Sequence, residues 1–151
     1  MRDNYIFFDM DGCLCALYDV EGWLPMLIAS DPTPYAIAAP MHNMSQLARK
    51  LNTLQRKGYK LGIISWLSKD PNPAYGKKVT AAKLEWLKKH MPSVAWDYIN
   101  IVPYGTPKHT ICREGILFDD EEQNRENWDC GRAYGATCIL AVLRELARAA
   151  A

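Results

Sequence analysis

Tyr5-Ile6-Phe7-Phe8 is a continuous apolar run that stops at an acid, Asp9, and Ile116-Leu117-Phe118 stops the same way at Asp119. A strand with one wet face alternates apolar and polar residues. A strand without alternation is buried on both faces, as in a parallel sheet covered by helices. Leu61-Gly62-Ile63-Ile64-Ser65 is another such run, and residues 98–102 and 136–140 read as two further strands, the last leading into a closing helix. Helical spacing fills the gaps. Leu47, Leu51 and Leu54 predict a helix over residues 44–57, with Asn43 or Ser45 to cap its start and Gly58 to end it. Pro71, Asn72, Pro73 and Gly76 predict a loop, after which Val79, Lys83, Trp86 and Leu87 start an amphipathic helix that must close before Pro92. Strands alternating with helices predict a single α/β domain over residues 1–151, a doubly wound, mainly parallel five-stranded sheet flanked by helices.

Residues 13–40 do not fit that alternation. Four prolines interrupt Leu14, Leu17, Tyr18, Trp23, Leu24, Met26 and Tyr35, a stretch too apolar for a linker and too broken for one long helix. It reads as a short, cap-like insertion beside the end of the first strand, small enough to leave that end open. Charged residues are 23% of the chain and nearly cancel, to a formal net charge of +1, so no global field favours nucleic acid. No apolar run is long enough to span a bilayer. The start lacks the pattern of a secretory signal, and five cysteines without a CxxC pair suit a reducing compartment, so the expected location is cytoplasmic.

The chemistry concentrates where strands end. Asp9 and Asp11 are two positions apart, and residues i and i+2 of an extended chain share a face. Two acids so placed need a cation. With a divalent metal present, one carboxylate can act as a nucleophile while the other handles a proton. Asp119 and Asp120 end another buried strand, with Asn124 four residues beyond, and a parallel sheet could bring all four carboxylates together. That convergence calls for Mg²⁺, a hard cation that takes oxygen ligands and keeps exchangeable waters. Ser65 offers a hydroxyl donor and Lys108 a positive charge, which are what a transferring phosphoryl group requires around its equatorial oxygens.

Lys77, Lys78 and Lys83 compete with Lys108 but read as a solvated helix face and its start. Cys13 and Cys15 lack partners for a soft-metal site and read as reduced core thiols. Tyr18, Trp23, Tyr35 and Trp66 could stack on a ring. Trp23 and Tyr35 fit better as the core of the insertion, while Trp66, next to Ser65, is the best candidate for a substrate contact.

The order Asp9-Met10-Asp11-Gly12, Ser65, Lys108, Asp119-Asp120 with Asn124 resembles the haloacid-dehalogenase-like (HAD) hydrolase superfamily. The resemblance implies Asp9 as nucleophile and Asp11 as general acid, then base. It gives Ser65 and Lys108 the phosphoryl group, and Mg²⁺ to the Asp9 carboxylate, the Asp11 carbonyl and Asp120, with Asp119 in support. It implies a phosphomonoester hydrolase acting on a small phosphorylated metabolite. A weaker similarity to 5'(3')-deoxyribonucleotidases rests on the stretch from Ile101 to Asp120 and on Tyr75 and residues 83–86, and it suggests a nucleotide as one such substrate. The insertion is considerably smaller than the helical cap of those enzymes. A phosphatase of nucleic-acid ends or phosphoproteins, and a non-catalytic phosphate-binding module, are the alternatives.

Overall fold

Five strands pair in parallel throughout: β1 (Tyr5–Phe8), β2 (Lys60–Trp66), β3 (Tyr98–Val102), β4 (Gly115–Phe118) and β5 (Ala133–Tyr134), in the spatial order β3-β2-β1-β4-β5. This computed structural model describes residues 5–111 and 114–149. The chain moves outward from β1 through β2 to β3, then returns to the other side of β1 for β4 and β5. The strand order therefore reverses between β1 and β4, and a parallel sheet opens a crevice at the carboxyl ends of its strands at such a point.

Among the described residues, six helices accompany the sheet: α1 (Trp23–Ile28), α2 (Thr33–Ile37), α3 (Met44–Arg56), α4 (Pro73–His90), α5 (Glu122–Asn127) and α6 (Ile139–Ala149). Every residue of β1 is buried. Ile6 and Phe8 point into a core shared with Leu47 and Leu51 of α3, Trp86 of α4 and Leu143 of α6, whereas Tyr5 and Phe7 join Ile64, Leu117 and Trp128 on the opposite face. The period of two in the strand and the absence of alternation in its sequence are thus both accounted for.

Asn43 caps α3 by accepting the Gln46 N–H at 3.0 Å. The predicted loop at Pro71 and Gly76 is shorter than expected. Asn72 accepts the Ala74 N–H at 2.9 Å and Pro73 occupies the first turn, where its missing N–H has no intrahelical partner to lose, so α4 begins there and runs through Gly76. The fifth strand also moves: β5 is only Ala133–Tyr134, and residues 136–138 form a 3-10 turn that feeds α6. The apolar residues of 139–143 follow helical spacing, with Ile139 and Leu143 buried four positions apart.

Residues 13–40 contain a 3-10 turn at Leu17–Asp19 and the short helices α1 and α2. The neck of the insertion is closed by backbone hydrogen bonds from Ala16 N–H to Ala39 O (2.8 Å) and from Met41 N–H to Leu14 O (2.9 Å). Side chains fasten its far end: Ser30 Oγ donates to Asp70 at 2.8 Å and the Tyr75 hydroxyl to Asp31 O at 3.1 Å. The Trp86 indole N–H donates to Ala38 O at 2.8 Å. Anchored to α4 and the β2–α4 loop, the insertion lies against the sheet end rather than standing clear of it.

Cys13, Cys15 and Cys138 are free thiols, the first two buried as expected. Burial, and then the charges of Asp9 near Cys13 and Asp11 near Cys15, push both thiols up, so neither offers the thiolate a soft metal would need. Cys130 is disulfide-bonded, against the reducing compartment that the cysteine pattern suggested; Cys112 lies outside the described residues. Among the described residues no helix is long and apolar enough to cross a membrane.

Candidate active site

The Asp9 N–H donates to Phe118 O at 2.9 Å, extending the β1–β4 pairing one residue past both strands and setting Asp9 beside Asp119 and Asp120. Carboxylate oxygens of these three acids lie within 4.8 Å of one another. Lys108, in a 3-10 turn at Lys108–Thr110 and almost fully buried, reaches into the group and donates to Asp9 Oδ1 at 2.9 Å and Asp119 Oδ2 at 2.6 Å. Burial alone would pull its ammonium down, but the charges and hydrogen bonds of Asp9 and Asp119 outweigh that and hold it above the usual lysine range. Asp119 is fully buried and heavily bonded: Oδ1 accepts the Glu121 N–H, and Oδ2 accepts Asn124 Nδ2 in addition to Lys108. It braces the cluster.

The sequence led to an expectation of four converging carboxylates, and three converge. Asp11 turns instead to Lys83, whose ammonium donates to Asp11 Oδ2 at 2.8 Å, Ser65 Oγ at 2.6 Å and Trp66 O at 2.9 Å. Lys83 is 1% exposed and stands 5.1 Å from the centre of the Tyr35 ring, so its reading as a solvated residue is wrong, while Lys77 and Lys78 are exposed as expected. The signal was present in its spacing. Tyr75, Val79, Lys83, Trp86 and Leu87 form one helical stripe, and a lysine inside an apolar stripe is buried and must find acceptors for all three N–H groups.

Ser65 is also fully buried and is not among the cavity-lining residues. Its oxygen is occupied as an acceptor from Lys83, which leaves its own O–H as the donor it can offer.

The cluster forms the floor of a cavity of about 570 Å³ lined by Asp9, Asp11, Lys108 and Asp120. The insertion supplies a wall, including Leu17, Tyr18, Trp23, Leu24 and Ile28, so the sheet end is less open than a short insertion suggested. Trp66 lines the cavity, with its indole N–H donated to Thr106 O at 2.8 Å and its ring 5.4 Å from the Lys108 ammonium. Tyr35 is core, packed with Leu17, Tyr75 and Val79. Trp23 is not: it is part-exposed, packs edge-on against Tyr18 and faces the cavity, because six consecutive apolar residues in α1 leave none of them fully buried.

The residues present fit a divalent cation. The donor set is all carboxylate oxygen, the preference of Mg²⁺ or Ca²⁺. Asp9, Asp119 and Asp120 against the one ammonium of Lys108 leave two negative charges in excess. Burial, then the hydrogen bond with Asp9 and the charges of Asp9 and Asp119, push Asp120 up to about 8, the response of crowded acids without a counter-charge. Gly12 makes the close packing possible: its φ is +78°, and a Cβ there would collide with the Asp120 carboxylate.

Comparison with known proteins agrees with this arrangement at the level of fold. No family model matches the chain, and no curated protein does. Among solved structures, one from Mesorhizobium loti described as a candidate HAD-like phosphatase superposes with a TM-score of 0.62 at 13% identity, over 99% of this chain and 88% of that one. The HAD domain of the effector Lem4 from Legionella pneumophila also matches, at a TM-score of 0.45 and 13% identity, over 88% of this chain and 85% of that domain. The chain has the α/β fold of the HAD-like hydrolases, and its acid cluster occupies the crevice at that fold's topological switch point.

Proposed function

We propose that the chain is a Mg²⁺-dependent phosphomonoester hydrolase that works through a phosphorylated Asp9, with a small phosphorylated metabolite as substrate. The observation that carries this reading is the separation of the two acids of the Asp9-Met10-Asp11 run. Asp9 lies in the acid cluster with Lys108, while Asp11 lines the same cavity but is ion-paired to a different lysine. A nucleophile and a proton carrier need such different surroundings. A third acid in the cluster would be redundant for either role and is explained as a ligand.

A carboxylate oxygen of Asp9 attacks phosphorus in line with the ester oxygen, and that P–O bond breaks as the Asp9–phosphorus bond forms. Asp11 enters this step in its protonated form and gives that proton to the departing oxygen, becoming the carboxylate that Lys83 holds. It then takes a proton from a water whose oxygen attacks phosphorus, and the bond to Asp9 breaks to release phosphate. Lys108 holds Asp9 in place and offers positive charge to the phosphoryl oxygens. Mg²⁺ held by Asp9 and Asp120, with Asp119 in support, would neutralise the cluster so that an anionic phosphate can approach a carboxylate. Lys83 fixes the rotamer of Asp11 and draws it away from the cluster.

The test is hydrolysis of a generic aryl phosphate with and without Mg²⁺. Turnover should require the metal, and Asp11→Asn should lower kcat by about 10²-fold or more, the usual size of a lost proton transfer, while leaving Mg²⁺ affinity in place. An Asp11→Asn protein that keeps its turnover but loses Mg²⁺ would reverse the assignment of roles.

A further inference from the structure

The cavity is far larger than a phosphate group, and its upper wall has a definite chemistry. We propose that the leaving group of the substrate is an aromatic alcohol, bound between residues of the insertion and the loops after β2 and β3; this rests on the phosphatase reading above. Two aromatic pairs line the space beyond the acids. Tyr18 and Trp23 of the insertion stand 5.1 Å apart, and Trp66 and Tyr104 of the loops 5.0 Å apart, measured between ring centres. Leu24 and Ile28 of α1 line the same cavity at 49% and 76% exposure, large apolar side chains that no described residue covers.

Some of the polar groups of that wall are committed to the protein. The Trp66 indole N–H is bonded to Thr106 O and the Asn124 amide to Asp119. Asp70 accepts from Ser30 Oγ and the Asn72 N–H, and the Lys69 ammonium lies 5.2 Å from the centre of the Tyr104 ring. The lining is mainly apolar, so a flat ring would exchange water for apolar and aromatic faces, whereas a sugar or polyol leaving group would leave those faces wet. The phosphoryl end of the reaction is handled on the floor, so the wall is free to select the alcohol.

Two esters with primary alkyl leaving oxygens separate this selection from intrinsic reactivity: 2-phenylethyl phosphate and glycerol 3-phosphate. The expected ratio of their kcat/KM values is about 50 in favour of the phenyl ester, the factor that burial of one ring confers. Trp23→Ala should reduce that ratio about tenfold, the scale of a lost aromatic contact. A ratio near unity, or a 5'-mononucleotide preferred to both esters, overturns the inference while leaving the phosphatase reading intact. If neither these esters nor the aryl phosphate is hydrolysed, the phosphatase reading fails and the cavity is judged by binding. Tryptophan fluorescence titration of the intact protein with 2-phenylethylphosphonate and with methylphosphonate should then favour the former by about tenfold or more. Equal affinities overturn the inference.

Discussion

Replacing Lys83 by Met tests whether the buried lysine is the positioning partner of Asp11. Methionine retains most of the aliphatic stem and removes only the ammonium, so packing against Tyr35 changes little. Three hydrogen bonds of 2.6 to 2.9 Å disappear, and Asp11, Ser65 and the Trp66 carbonyl lose a partner. Breaking a buried pair costs about 3 to 5 kcal/mol when the remaining charge stays dry. The Asp11 side chain is 16% exposed, so water recovers part of that solvation and the expected loss is about 3 kcal/mol. For a chain of this size that corresponds to a Tm lower by roughly 6 to 12 °C, measured by circular dichroism. At a temperature where both proteins are folded, kcat on an aryl phosphate should fall by about 10²-fold with a smaller change in KM, because the proton carrier is no longer held. The Asp11→Asn/Lys83→Met double variant should be less destabilised than the sum of the single variants by at least about 1 kcal/mol. A Lys83→Met protein within about 0.5 kcal/mol of the parent, or a coupling near zero, would refute the argument, since a surface lysine behaves that way.

Gly12→Ala should destabilise the protein by about 1 to 2 kcal/mol through its left-handed backbone alone, and it should weaken Mg²⁺ binding more than that, because the new methyl displaces Asp120; calorimetric titration with Mg²⁺ checks it. Asp120 sets a pH dependence. With its pKa near 8 when folded and at the ordinary carboxylate value when unfolded, the native state holds a proton that the unfolded state has released between those limits. Chelator-treated protein should therefore lose stability as pH rises from about 4 to about 8, and saturating Mg²⁺ should remove the slope; a Tm that rises over this range without metal would contradict the acid cluster. Lys108 runs the other way. Its raised pKa contributes stability that is complete below the ordinary lysine range and disappears only above it, so it adds no slope near neutrality.

The sheet was legible because β1, β4 and the middle of β2 are short apolar runs with no alternation, a pattern that burial on both faces explains, whereas β3 is an edge strand with Tyr98 and Ile99 exposed and was legible from its apolar content alone. β5 escaped because two half-buried residues carry no period. The acids were legible by position, since each pair begins directly after the last buried residue of a strand, Asp9 after Phe8 and Asp119 after Phe118. What linear reading could not supply is which acid faces which cation. Lys83 lies 72 residues from Asp11 in sequence, and only the docking of α4 beside β2 joins them. Similar limits hid the wall of the cavity: Trp23 is as apolar as any core residue, and only the shortness of α1 turns it toward open space.

The central claim is that Asp9 carries the phosphoryl group, and rapid acid quenching during turnover tests it most directly. Intact-mass analysis of protein mixed with excess aryl phosphate and Mg²⁺ should show a single phosphoryl adduct that maps to the peptide containing Asp9 and is absent in Asp9→Asn. Steady turnover by the Asp9→Asn protein at the parent rate, or an adduct on any other residue, would contradict it.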